Sequence, residues 1–158
     1  MTDASFHDVD PGPLTLRAID AEDLRVISTL AQDAVVQVSD IRYDAKGRFL
    51  ALLINRFRWE DVKDARREDR PFERIRSLLV VSDVLGVKSD GIDQKDGDLV
   101  LELLAINWVA GEDGTGRVML EFAGDGTFAV AVEALQVDLR DVTVPYMAVS
   151  GRVPTHPE

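Results

Sequence analysis

The chain has 158 residues, no cysteine, 46% apolar and 30% charged residues, and a formal net charge of −11. That is enough material for one domain with a real core, while the lack of thiols excludes disulfides, thiolate catalysis and cysteine-based metal sites. The negative balance disfavours sequence-independent binding to phosphate backbones, and no apolar run approaches the length of a membrane span. The expectation is a cytoplasmic protein that binds neither nucleic acid nor membrane.

Residues 1–13 hold Asp, Gly and two Pro without periodicity and read as a flexible tail. They show neither the basic start nor the apolar core of a signal peptide. A helix follows Asp20: Leu24, Ile27, Leu30 and Ala31 recur at helical spacing, and Asp20 is placed to cap the first turn. Glu22 and Asp23 suit the positive end of its dipole.

The remainder reads as strands. Ala34 to Tyr43 and Arg48 to Phe57 flank the turn Asp44-Ala45-Lys46-Gly47 and make a hairpin. Ile75 to Val87 forms a third strand. Leu99 to Val109 and Arg117 to Phe122 make a second hairpin about Glu112–Gly116, and Thr127 to Leu139 is the last long strand. In that strand the apolar positions switch from Phe128, Val130 and Val132 to Leu135, Val137 and Leu139, which predicts a bulge or bend near Glu133-Ala134.

The turns Asp44–Arg48 and Asp113–Arg117 share a Gly-Arg ending before an apolar strand. Superposing them suggests an internal repeat, residues 34–88 and 99–139, of a three-stranded meander. On that alignment the first copy carries an insertion, roughly Arg56 to Glu73, where the second closes with Gly124-Asp125-Gly126. Several strands are apolar on both faces and need cover on both sides. The predicted fold is therefore mainly β: two related three-stranded antiparallel meanders forming a sandwich or barrel-like sheet, with one N-terminal helix. A single domain over 14–143 and a C-terminal tail over 144–158 are expected.

The insertion region, Arg56 to Arg76, carries eight of the eighteen basic residues, with Phe57 and Trp59 beside them. Arginine forks and aromatic rings are the usual ingredients of recognition surfaces. Asn55, Arg56, Arg58 and Trp59, at a strand end, are the candidate partner-binding residues. Glu60, Asp61, Asp64, Glu68, Asp69 and Glu73 nearly balance the bases, so a solvated mixed-charge loop is the competing reading. Asp90, Asp93, Asp96 and Asp98 crowd one loop, but the spacing is not that of a calcium loop and Lys95 interrupts it, so a polar turn is expected. His7 and His156 lie in the terminal tails, and no central histidine offers a base for nucleophilic catalysis. No nucleophile elbow, phosphate loop or dinucleotide fingerprint is present. Neither a catalytic residue, a metal site nor a cofactor is assigned.

Leu16-Arg17-Ala18, Asp20, Asp23-Leu24, then Asn55-Arg56-Phe57-Arg58-Trp59-Glu60, Arg76-Ser77-Leu78 and Leu104-Ala105-Ile106-Asn107 resemble a bacterial family known as domain of unknown function 2948, from about Leu14 to His156. The resemblance implies a small cytoplasmic protein of the alphaproteobacteria and carries over no functional residue. From the residues, the expected function is a non-catalytic interaction or regulatory binding module whose partner is another protein or an anionic small molecule. A small-ligand-binding β fold is the alternative, and a carboxylate-based enzyme stands third.

Overall fold

The computed structural model describes residues 13–69, 71–142 and 146–147. Most of both expected tails, His7 and His156 included, lies outside the described residues.

The chain opens with strand β1 (Thr15–Ala18) and helix α1 (Ala21–Ala31). The cap is as predicted: the Asp20 carboxylate accepts from the Asp23 amide at 2.8 Å. Leu24, Ile27 and Ala31 form the helix stripe that enters the core. The segment read as one strand over Ala34–Tyr43 is two, β2 (Val35–Gln37) and β3 (Ile41–Asp44), parted by a short 3₁₀ turn at Val38–Asp40. Strand β4 (Phe49–Phe57) follows the Gly47 turn, a 3₁₀ turn and helix α2 (Val62–Arg67) fill the insertion, and β5 (Glu73–Val81) returns beside β4. Then come β6 (Val84–Asp90), β7 (Val100–Ala110), β8 (Gly116–Phe122), β9 (Thr127–Val132), β10 (Val137–Asp141) and β11 (Tyr146–Met147).

Both meanders are present. β3, β4 and β5 pair in order, as do β7, β8 and β9, all antiparallel. The two long strands predicted over Ile75–Val87 and Thr127–Leu139 are each broken. β5 ends at Val81, and Asp83, at φ 56°, turns the chain so that β6 pairs with β9 in the other meander. β9 ends at Val132, and β10 crosses back to pair with β5. Each meander thus hands its next strand to the other. The two crossings are bonded together: Ser82 N donates to Gln136 O at 3.0 Å, and Glu133 N donates to Asp83 O at 2.9 Å. A change of sheet, and not only a bulge, explains the switch of apolar positions after Val132.

The strands form one eleven-stranded sheet in the order β1-β10-β5-β4-β2-β7-β8-β9-β6, with β3 on β4 and β11 on β5; its two halves, up to β4 and from β7 onward, are termed the first and second sheets. β2 joins the halves, because Val35 lies opposite both Asn55 of β4 and Glu102 of β7. The sheet folds over itself so that Leu50, Leu52, Leu79 and Leu139 of one half share a single core with Leu103, Val118, Leu120 and Val130 of the other, and with α1. β7 is kinked between Leu103 and Ala105, and α1 adapts to the kink: Ser28 Oγ accepts from the Ile106 amide at 2.9 Å.

The Gly-Arg echo is out of step with the strand register. Leu50 faces Val81, the last residue of β5, whereas Gly116 faces Val132, the last residue of β9. Counted from those ends, Leu50 corresponds to Gly116 and not to Met119. The motif superposition instead sets buried Leu50 on half-buried Met119. Both echo glycines do serve one purpose, which is to leave room for a ring. A Cβ at Gly47 would lie 2.9 Å from the Phe49 ring, and one at Gly116 2.5 Å from the Trp108 ring and from Val109 O.

Candidate functional site

The side chains of β4 divide by strand alternation. Leu50, Leu52, Ile54 and Arg56 point inward and are buried, while Phe49, Ala51, Leu53, Asn55 and Phe57 point outward and are half-buried. The four residues singled out from the sequence therefore separate. Arg56 is 0% exposed and Arg58 5%. Asn55 lies on the outer face, and Trp59 is 37% exposed.

Arg56 ends the apolar inner row of β4 and needs compensation for its buried charge. It receives that from three elements. Its Nη2 donates to both oxygens of Asp141 at 3.1 Å and to Glu60 Oε2 at 2.9 Å; Nη1 donates to Glu60 Oε1 and to Phe57 O, both at 3.0 Å; Nε donates to Ser77 Oγ at 3.1 Å. Ser77 Oγ donates in turn to Asp141 Oδ1 at 2.6 Å, and the Leu14 amide donates to Asp141 Oδ2 at 2.8 Å. Burial works against the guanidinium charge, but Glu60 and Asp141 outweigh it and hold its pKa above arginine's ordinary value. Arg58, one inward position further on, is paired with Glu73 and lies 3.8 Å from Asp61 and 3.9 Å from Glu60. The insertion is thus a lid over one end of the core, tied down by two inward arginines. Asp141 and Ser77 are not legible from sequence because their partners lie far away in the chain, whereas Glu60 stands only four residues from Arg56 and reads as part of a mixed-charge loop. The inward direction of Arg56 was available in the alternation after Ile54.

The outer face of the first sheet carries the other arginines. Across it the register sets Arg42, Ala51, Val80, Asp138 and Arg17 in one row, and Leu53, Leu78 and Arg140 in the next. Asn55 and Arg76 face each other below these, then Phe57 and Arg74. Phe49, Ala51, Leu53, Leu78 and Val80 make an apolar strip that no described element covers, part of it in a depression of about 460 Å³ beside Arg48. Arg17, Arg42, Arg48, Arg74, Arg76 and Arg140 stand around the strip, with Asp40, Asp44, Asp83 and Asp138 among them, in a chain of net charge −11. Arg17 is bound to Asp138 at 2.7 Å. Arg42 and Arg140 make no ion pair among the described residues. At the lower end Arg74 lies 4.1 Å above the Phe57 ring and bonds Asn55 Oδ1 at 2.9 Å, and Trp59 sits 5.4 Å from Phe57 with its Nε1 on Gln32 O. A groove of about 170 Å³, where β2 peels away from β4, opens there beside Asn55, Arg76, Gln37 and Val100.

In the 90–98 loop, Asp93 and Asp96 accept from the amides of Lys95 and Asp98, as polar turns do. Among the described residues no group of acidic or histidine side chains is arranged to hold a metal, and no helix is long and apolar enough to cross a membrane.

Fold and site define a mainly β protein whose core is closed at one end by buried arginines and whose first sheet presents an arginine-rimmed apolar face. The chain belongs to the family described as "Protein of unknown function (DUF2948)", whose profile matches residues 14–156. No curated protein and no solved structure gives a significant match.

Proposed function

We propose that this protein is a non-catalytic, cytoplasmic interaction module, and that its docking face is the outer surface of the first sheet. The partner we infer is an acidic protein segment that also carries apolar side chains. One observation carries the reading: in a chain of net charge −11, six arginines and four aspartates stand around an apolar strip that no described element covers. Rim arginines steer an acidic partner and set its register, while the strip supplies the desolvated contact. Of the residues picked out by sequence, Asn55 and Trp59 belong to this face directly, whereas Arg56 and Arg58 act from below by holding the strand end and the lid in place. An internal duplication of the meanders, with the lid added to the first copy, fits the same reading.

A synthetic peptide of alternating Glu and Phe, compared with its Lys-Phe counterpart by fluorescence anisotropy, tests the proposal. The Glu-Phe peptide is expected to bind, to weaken as salt rises, and to lose about tenfold in affinity to the R42E/R140E protein, as expected for losing about 1.4 kcal/mol of charge contact. Equal binding of the two peptides, or no effect of R42E/R140E, overturns the reading. Preference for a single-stranded oligonucleotide at the same face also overturns it.

A further inference from the structure

The two sheets separate along one edge, between β3 and β6, and leave a cleft of about 230 Å³. Register places it at the mouth of the sandwich, where inner-face side chains of both halves meet solvent and Tyr43 is 42% exposed. Tyr43 faces Leu50 and Ile41 faces Leu52 on the inner side of the first sheet; Val87 faces Val130 and Ser89 faces Phe128 on the inner side of the second. Val38, Ile41, Leu50, Val87, Ile92 and Phe128 form its apolar lining. The polar groups that line it are all neutral: the Tyr43 phenol, the Ser89 hydroxyl and the Gln94 amide. None of the three side chains has a hydrogen-bond partner among the described residues. The neighbouring charges point away, since Lys88 and Asp90 pair with Ala129 and Thr127 on the outer side.

The wall that carries Ile92 and Gln94 lies close against the β8–β9 turn. Gly91, at φ 73°, passes so close to the β8–β9 turn that a Cβ would lie 3.0 Å from Asp125 O, and a Cβ at Gly126 would lie 2.8 Å from Ile92. A side chain at Gly91 would press on backbone and one at Gly126 on the Ile92 side chain, so the glycines allow the loop to lie this close to the turn. An apolar cleft with a few convergent polar groups is the usual anatomy of a small-molecule site. Its volume exceeds the ~150 Å³ apolar cavity that takes benzene.

We propose that this cleft binds a small neutral molecule with an apolar body, a single ring or a short branched chain, and one hydrogen-bonding end. The body lies against Ile41, Leu50, Val87 and Phe128, and the polar end meets Tyr43, Ser89 and Gln94. The lining holds no charged side chain to pair with an anion or cation, so a charged analogue gives up hydration here for no ion pair. This site is separate from the arginine face, and either stands without the other.

Methyl NMR of the full chain with benzyl alcohol, toluene and benzoate as probes tests it. Benzyl alcohol is expected to give saturable shifts at the Ile41, Leu50 and Val87 methyls, and benzoate to bind at least about tenfold more weakly. S89A/Q94A removes two polar partners without filling space. It should abolish the preference for benzyl alcohol over toluene while toluene binding persists. V87F should fill the cleft and remove all three responses. Absence of saturable shifts in the wild type, equal binding of benzoate, or an unchanged alcohol preference in S89A/Q94A overturns the proposal; the last of these does not depend on V87F folding.

Discussion

The first meander closes its lower end with charge, and the second closes its end with rings. Counted from Val81 and Val132, Arg56 and Ser77 stand where Phe122 and Phe128 stand in the other half. The two phenylalanines pack edge to face at 5.5 Å beneath a tight turn. Arg56 and Ser77 instead meet Asp141 and Glu60 beneath a lid made of a whole inserted segment. An aromatic pair is self-sufficient, because area and shape alone hold it. A buried arginine is not, since every donor it carries must find an acceptor. The charged end therefore demands partners from several elements, and in finding them it fastens β1, β10 and the insertion to one point. The difference teaches that the lid is part of the fold's closure as well as a bearer of surface charge.

The largest expected effect breaks the charged end. R56A leaves Asp141 and Ser77 buried without their cation and should cost about 3–5 kcal/mol in urea unfolding. R56M/D141L, apolar at both places, should recover most of that loss, since replacing a buried ion pair by packed apolar groups is often neutral or better. If the double variant is no better than R56A, the demand is for those particular bonds and not for charge compensation. F122A should also cost about 3–5 kcal/mol, by leaving a cavity. The two ends then differ in what rescues them: F122L should restore more than half of the loss, whereas R56K, without a fork to span Asp141 and Glu60, should restore little. Next come the turn glycines. G116A forces a Cβ against backbone as well as the Trp108 ring and should cost about 1–3 kcal/mol, while G47A meets mainly the movable Phe49 ring and should cost less, as paired thermal melts can measure. Smallest is R48A. It breaks the exposed pair with Glu133 and should leave the unfolding midpoint unchanged within error.

Much of this architecture is legible in the residues. α1 announces itself by Asp20 and its apolar period, and the hairpins by Asp-x-x-Gly turns between apolar runs. The broken strands are harder. The inner row of β5 runs through Ile75, Ser77, Leu79 and Val81 and then jumps to Val84, the same change of phase that is visible after Val132, but Leu78-Leu79-Val80-Val81 and Val84-Leu85 are apolar in both phases and hide it. Strand exchange cannot be read from either segment, because it depends on which sheet has a vacant edge. β1 is short and took its place only through pairing with β10. For the site, composition located the arginines but not their direction. Asn55 and Arg56 are neighbours in sequence and sit on opposite faces. The arginine face itself draws on β1, β3, β5 and β10, so no local window contains it.

The crossing of β6 and β10 also sets an order in time. β5 gains its second neighbour only when β10 arrives, and β6 pairs, among the described strands, with β9 alone. As the chain is synthesised, Leu79, Val81 and Val84 must wait for residues some fifty places later. Neither half has a finished sheet to fold into alone. Refolding should be slow for a chain of this size, as expected where distant pairings dominate, and should proceed as one event. A chain cut within the 91–99 loop should leave two fragments that fold only when mixed.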